Sequence, residues 1–289
     1  MTYSEFKMDL LDCVQKSIGE DTRVTIESIP KNNGILLDGM VFYNKDRNVT
    51  PIIYLEEFYE FWKKGISMCH LVDKILESCR NCACRILVEE DFFLRYEEMK
   101  SHIYYKLINY EKNKEFLRQV PHRRILDLAM VFYYRMEHVE PMATILIQNN
   151  HLAMWGITME ELQANAYKYT CLFQPALFMT MAQATMMEDE CEVEDEIPMY
   201  VLTNQEKQFG AGTILYPGIL EQAEVLLGDR FYILPSSIHE CILISAESGY
   251  SQRELARMVT EINQNHVDER EVLSNHAYYY NKNSRKIEF

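Results

Sequence analysis

The chain has 289 residues, 48% of them hydrophobic and 25% charged, an ordinary globular composition that can bury a core as one large or two small domains and argues against disorder beyond short segments. Lys plus Arg number 29 against 44 Asp plus Glu, and the resulting net charge of −15 repels polyanions, so nucleic acid and anionic membrane surfaces are poor partners. No run approaches 18 apolar residues, which predicts no transmembrane helix, and eight scattered cysteines behind an acidic, amphipathic N-terminus point to a reducing cytoplasm.

In chain order, residues 4–18 read as an amphipathic helix with Phe6, Leu10, Cys13 and Val14 on one face and Gly19 at its end. RVTIESI and ILLDGMVFY flank Asn33-Gly34, a hairpin signal because both residues accept positive φ. A short strand, TPIIY, leads into a helix that buries Leu55, Phe58, Tyr59 and Trp62 and stops at Gly65; another helix covers 67–82. Cys79, Cys82 and Cys84 contain one CxxC, yet Cys79 continues the apolar face of Val72, Ile75 and Leu76, so no metal site is expected.

Longer strands follow. HIYYKLIN (102–109) and ILDLAMVFYYRM (125–136) are aromatic and branched, and ATILIQN (143–149) is expected to pair antiparallel with the second. Asp127 falls inside that second strand, as an edge or capping residue before a catalytic acid. Arg118, His122, Arg123 and Arg124 form a short basic patch that reads as a solvated face. Thr158 and Glu161 make a capping box for the helix TMEELQANAYKYT, and a second, Met-rich helix is expected over 176–187. The acidic stretch 188–198 lacks calcium-loop spacing and reads as a self-repelling loop.

YVLTN is a strand, FGAGTILY a second strand or a helix start, and PGILEQAEVLLG a helix with Pro217 in its first turn and Gly228 at its stop. Strands FYILP and CILIS then enclose PSSIHE, Pro235 to Glu240. Ser251 and Glu254 cap an amphipathic helix carrying Leu255, Met258, Val259 and Ile262, and the tail from His276 forms a hairpin turning over Asn281 to Ser284.

PSSIHE supplies a hydroxyl, an imidazole and a carboxylate, the group types of a serine hydrolase. In an extended strand Ser237 and His239 share a face while Glu240 points away, so a triad needs an acid from elsewhere, such as Asp127, and no G-x-S-x-G elbow presents the serine. The alternative is a rigid junction in which Ser236 and Ser237 bond local backbone and His239 is a satisfied histidine. Walker A, GxGxxG, HExxH and kinase signatures are absent, and no cofactor is expected.

MYVLTN, GAGTILYPGIL and FYILPSSIHECILI resemble family 5688 of the bacterial domains of unknown function. The resemblance extends to TPIIYLEEFYEFWKKG, to KLINYEKNKEFLRQVPHRRILDLAMVFYYRM, to HLAMWGITMEELQANAYKYT and to LSNHAYYY, which spans nearly the whole chain. The chain is more distantly similar to family 1444, which carries an Arg-Asp pair about where His239 and Glu240 stand here. Neither family implies an activity.

These readings predict an α+β fold of mixed or antiparallel sheets covered by helices, with an N-terminal unit over 1–90 and a larger domain over 91–289. The expected role is a non-catalytic binding or adaptor module for a protein partner or a small molecule, with Thr203 and Asn204 as candidate binding residues and AYYY (277–280) as an exposed aromatic surface. The alternative is a hydrolase or other small-molecule enzyme using Ser237 and His239.

Overall fold

The computed structural model describes residues 1–19, 21–44, 52–85, 95–136, 144–185 and 199–289, with backbone alone for 81–85 and 185. They form an α+β fold in which every strand ladder is antiparallel. The chain divides into two compact units, one comprising Met1–Arg95 and Met136–Ala143 and one comprising Tyr96–Arg135 and Thr144–Phe289.

The smaller unit begins with α1 (Tyr3–Ile18), started by a reciprocal capping box between Thr2 and Glu5 that satisfies two amides lacking helical partners. β1 (Thr22–Pro30) and β2 (Leu36–Asn44) pair from Thr22–Asn44 to Pro30–Leu36, and Asn33 turns the chain at φ 63°. β3 (Ile52–Tyr54) extends this sheet, and α2 (Leu55–Lys63) and α3 (Met68–Arg85) follow. Phe6, Leu10 and Val14 from α1 bury against Met40 and Phe42 of β2 and Leu71 and Ile75 of α3. Cys79 packs on the edge of this core, as the helical spacing predicts; the side chains of Cys82 and Cys84 lie outside the described residues.

In the larger unit, α4 (Tyr96–Met99) precedes β4 (Ile103–Asn109), and α5 (Lys114–Leu117) precedes the hairpin of β5 (His122–Ile125) and β6 (Leu128–Arg135). β6 is buried along almost its whole length, between β4 on one side and β5 and then β7 (Thr144–Leu146) on the other. α6 (Asn149–Trp155) and α7 (Met159–Phe173) follow. Thr170 of α7 accepts the amide of Tyr105 at 3.1 Å, so the helix satisfies a backbone donor of strand β4.

The second sheet of this unit runs β13-β12-β10-β11-β9-β8. Its strands are β8 (Ala176–Thr180), β9 (Met199–Asn204), β10 (Arg230–Leu234), β11 (Cys241–Ser245), β12 (Tyr278–Asn281) and β13 (Lys286–Glu288). α8 (Met181–Thr185) follows β8, α9 (Ile219–Leu227) precedes β10, and α10 (Gln252–Asn265) lays Leu255 and Val259 over Leu234 and Ile244. Among the described residues no helix is long and apolar enough to cross a membrane.

Several local expectations are corrected. The strand expected over 125–136 is a hairpin: Ile125 pairs with Leu128, and Leu126 and Asp127 form its two-residue turn, with Leu126 at φ 55°. The segment lacks the Asn or Gly that normally marks such a turn. Over its described residues, 176–185, the Met-rich helix expected at 176–187 is β8 followed by the short helix α8, because the ladder from Ala176–Asn204 to Thr180–Tyr200 overrides the helical preference of Ala and Met; residues 186 and 187 lie outside the described residues. GAGTIL is a 3-10 segment, and Pro217 stands before Gly218, the N-cap of α9. Met258 and Ile262 are exposed on α10 while Asn263 is buried in line with Leu255 and Val259. The acidic stretch 188–198 lies outside the described residues.

AYYY is also corrected. Ala277, Tyr278 and Tyr280 are buried and Tyr279 is half-buried, because the segment is strand β12 inside the sheet and not a free aromatic surface.

Candidate functional site

The antiparallel registers place the ends of four strands together. Leu202 pairs with Cys241, Leu234 with Ile242 and Ile233 with Tyr278, so the last residues of β9 and β10 and the first of β11 and β12 share one end of the sheet. Thr203, Asn204, PSSIHE and the segment before Tyr278 all gather there.

PSSIHE is tied down chiefly by backbone. The carbonyls of Pro235 and Ser236 accept from the amides of Ser274 and Leu273, Ile238 donates to the carbonyl of Glu271, and its own carbonyl accepts from Ala211. Ser236 and Ser237 are buried, and Ser237 Oγ accepts the amide of His239 at 3.0 Å. His239 Nδ1 accepts the amide of Phe209 at 3.3 Å, and its ring stacks on the Phe209 ring. An amide only donates, so Nδ1 carries no proton and Nε2 does, facing Glu271 Oε1 at 3.5 Å. The imidazole therefore has no free lone pair to offer Ser237, and the two side chains form no hydrolase pair.

Thr203 and Asn204 fix the adjoining loop. Thr203 Oγ1 donates to the carbonyl of His239 at 2.7 Å. The buried Asn204 side chain donates to the carbonyl of Gln208 and accepts its amide, while its own carbonyl accepts from Lys207. These bonds hold Lys207 and Phe209 both at φ 54°, a left-handed backbone that costs a non-glycine residue about 1–3 kcal/mol and recurs at functional loops. Gly210 follows because nothing larger fits: a Cβ there would lie 2.2 Å from Thr203 Oγ1, 2.5 Å from the carbonyl oxygen of His239 and 2.7 Å from the amide nitrogen of Asn204.

Beside this loop is a cavity of about 300 Å³. Met179, Met181, Ala184, Val201 and Ile242 give it apolar walls, and Thr203, Lys207 and Glu240 supply its polar groups. Burial pushes the Glu240 carboxyl up, while His239 and a hydrogen bond from Ser237 pull it the other way. Lys207 is exposed.

A second polar cluster is built around Asp127. This buried carboxylate accepts the hydroxyl of Ser274 at 2.7 Å and the phenol of Tyr278 at 2.5 Å, and it faces His276 Nδ1 at 3.0 Å. A carboxylate only accepts, so His276 carries a proton on Nδ1, and in the neutral ring Nε2 is the nitrogen with the lone pair, on a side chain 56% exposed. Burial and then the Asp127 charge push the Tyr278 phenol up, which keeps it a donor. Asn109 and Asn263 hold the segment before β12 by donating to the carbonyls of Leu273 and Ser274. Asp127 is thus the floor of a cluster and not a strand-edge residue.

Ser274, His276, Glu271, Lys207 and Phe209 escaped the sequence reading, although Ser274 and His276 lie within LSNHAYYY. The basic patch is neutralised or engaged locally: Arg118 pairs with Glu115, Arg124 with Glu111 at 3.6 Å, and Arg123 donates to Gln163. Burial raises the Cys241 thiol, and that of Cys171 to about 11, so neither is a ready thiolate. Among the described residues no group of His, Cys, Asp and Glu is arranged to hold a metal ion.

The model of the family of unknown function DUF5688 matches residues 3–282. Comparison with curated proteins and with solved structures gives no match.

Proposed function

The chain belongs to the family of unknown function DUF5688, whose description assigns no chemistry, and from the site itself we propose that it is a cytoplasmic, non-catalytic binding module for a small molecule held beside β9. The cavity of about 300 Å³ carries this reading: mostly apolar walls with a few polar groups are the common form of small-molecule sites. Thr203 and Asn204 serve it by fixing the backbone of the loop that carries Lys207, which lowers the cost of ordering that loop on binding. A ligand-observed NMR screen with small apolar and polar fragments tests it. We expect binders that lose contact when Ala184→Trp fills the cavity of a protein whose circular dichroism is unchanged. Fragments that bind both proteins alike, or no binders at all, would contradict the reading.

A catalytic reading draws support from one observation, the Asp127 carboxylate set against His276 Nδ1, which orients an imidazole with Nε2 available as a general base. It moves the chemistry away from Ser237 and His239, whose groups are occupied by backbone. Any turnover found should then fall in both Asp127→Asn and His276→Ala and persist in Ser237→Ala; loss in Ser237→Ala alone would overturn it.

A further inference from the structure

We propose that the cavity beside β9 takes a zwitterionic α-amino acid with an apolar side chain, its ammonium against Glu240, its carboxylate toward Lys207 and its side chain among Met179, Met181, Val201 and Ile242. The inference rests on the binding reading above and adds the chemistry of the ligand.

Three features lead to it. First, two opposite charges line one small cavity and form no ion pair with each other among the described residues, so each can answer a charge on a ligand. Second, Glu240 is poorly hydrated and its charged form is disfavoured by burial, so a neighbouring cation recovers a cost already present in the empty protein. Third, the Lys207 backbone is held by its amide hydrogen bond to the Asn204 carbonyl, and Lys207 lines the cavity, so its side chain can meet a ligand without a loop being ordered on binding.

The alternatives fit less well. A fatty acid would set hydrocarbon against Glu240, and a simple amine would leave Lys207 unanswered. A nucleotide would bring phosphate toward Glu240 in a chain of net charge −15. At about 300 Å³ the cavity is at the small end of ligand sites, sized for one compact molecule and not for a peptide. Two methionines in its wall adapt to side chains of different shape, so leucine, methionine and phenylalanine should all be accepted.

Isothermal titration with L-leucine, L-methionine, L-phenylalanine, isoamylamine and 4-methylpentanoate tests this. We expect L-leucine to bind about tenfold or more tighter than the amine or the acid, each of which lacks one charged group. Glu240→Gln should weaken leucine by about tenfold and leave 4-methylpentanoate unweakened, and Lys207→Gln should weaken leucine similarly and leave isoamylamine unchanged. Equal binding of leucine, amine and acid would overturn the zwitterion and leave the apolar site standing. So would failure of all three amino acids while fragments still bind in a manner blocked by Ala184→Trp. Absence of every binder, fragments included, would remove the binding reading and this inference together.

Discussion

Two places in the larger unit bring a serine, a histidine and a carboxylate together, and they differ in how far apart those residues lie along the chain. In PSSIHE the three types fall within six residues, yet Ser237 accepts the backbone of His239, His239 accepts the backbone of Phe209, and neither ring nor hydroxyl serves the other. At Asp127 the partners come from residues 147 to 151 positions away, and there the side chains meet directly. Both serines accept the amide of the histidine two residues on, so local backbone does not separate the two places; what differs is that a carboxylate from a distant turn draws the Ser274, His276 and Tyr278 side chains onto itself, whereas the His239 ring is taken up by the amide of Phe209.

Substitutions sharpen this contrast. The largest effect should come from Asp127→Ala, which leaves the buried hydroxyls of Ser274 and Tyr278 without their acceptor and should cost about 3–5 kcal/mol, read as a lower denaturant midpoint at unchanged slope. His276→Ala should cost no more than about 1 kcal/mol, because its ring is half-exposed and such pairs contribute little. A loss for His276→Ala as large as that for Asp127→Ala would mean the histidine and not the carboxylate anchors the cluster.

Gly210→Ala should come next, at about 2–3 kcal/mol, because two of the three atoms in its path are backbone and cannot rotate away. His239→Ala should follow at about 1–2 kcal/mol, by leaving the Phe209 amide without an acceptor and removing the stacked ring. A change within about 0.5 kcal/mol would instead mark His239 as a surface residue without a structural role.

The smallest effect concerns pH. Burial raises the Glu240 carboxyl in the folded protein, so the folded state holds its proton to higher pH than the unfolded chain does. That contribution to stability is fully present below the ordinary glutamate range and is lost as pH rises toward the raised folded value. Glu240→Gln should therefore stabilise the protein at neutral pH relative to wild type and flatten the decline above the ordinary glutamate range. Melts across that interval check it, and a steeper decline in the variant would show that His239 and Ser237 outweigh burial.

Much of this architecture can be read from the residues. Capping boxes at Thr158 and Ser251 and the Asn33 turn are local signals, and the structure places them where the spacing predicts. The Asp127 turn was hidden because Leu126 takes positive φ without glycine or asparagine, a conformation that only tertiary contacts impose. β8 was hidden because a ladder to β9 decides its state and not its own Ala and Met residues. At the candidate site, PSSIHE, Thr203 and Asn204 were legible as a polar junction between apolar runs. The partners that give them meaning, Phe209, Gly210, Glu271 and the Asp127 cluster, arrive through pairing of distant segments, and composition carries no trace of that pairing.

The imidazole tautomers test the account most directly. Long-range nitrogen–proton correlation spectra at mildly alkaline pH, with signals assigned by their loss in His239→Gln and His276→Gln, distinguish which ring nitrogen holds the proton. The geometry predicts opposite states: His239 protonated on Nε2 because Nδ1 accepts the Phe209 amide, and His276 protonated on Nδ1 because it donates to Asp127. A proton on Nδ1 of His239, with Nε2 free to act as a base, would contradict the assignment of PSSIHE as a structural junction beside a binding site.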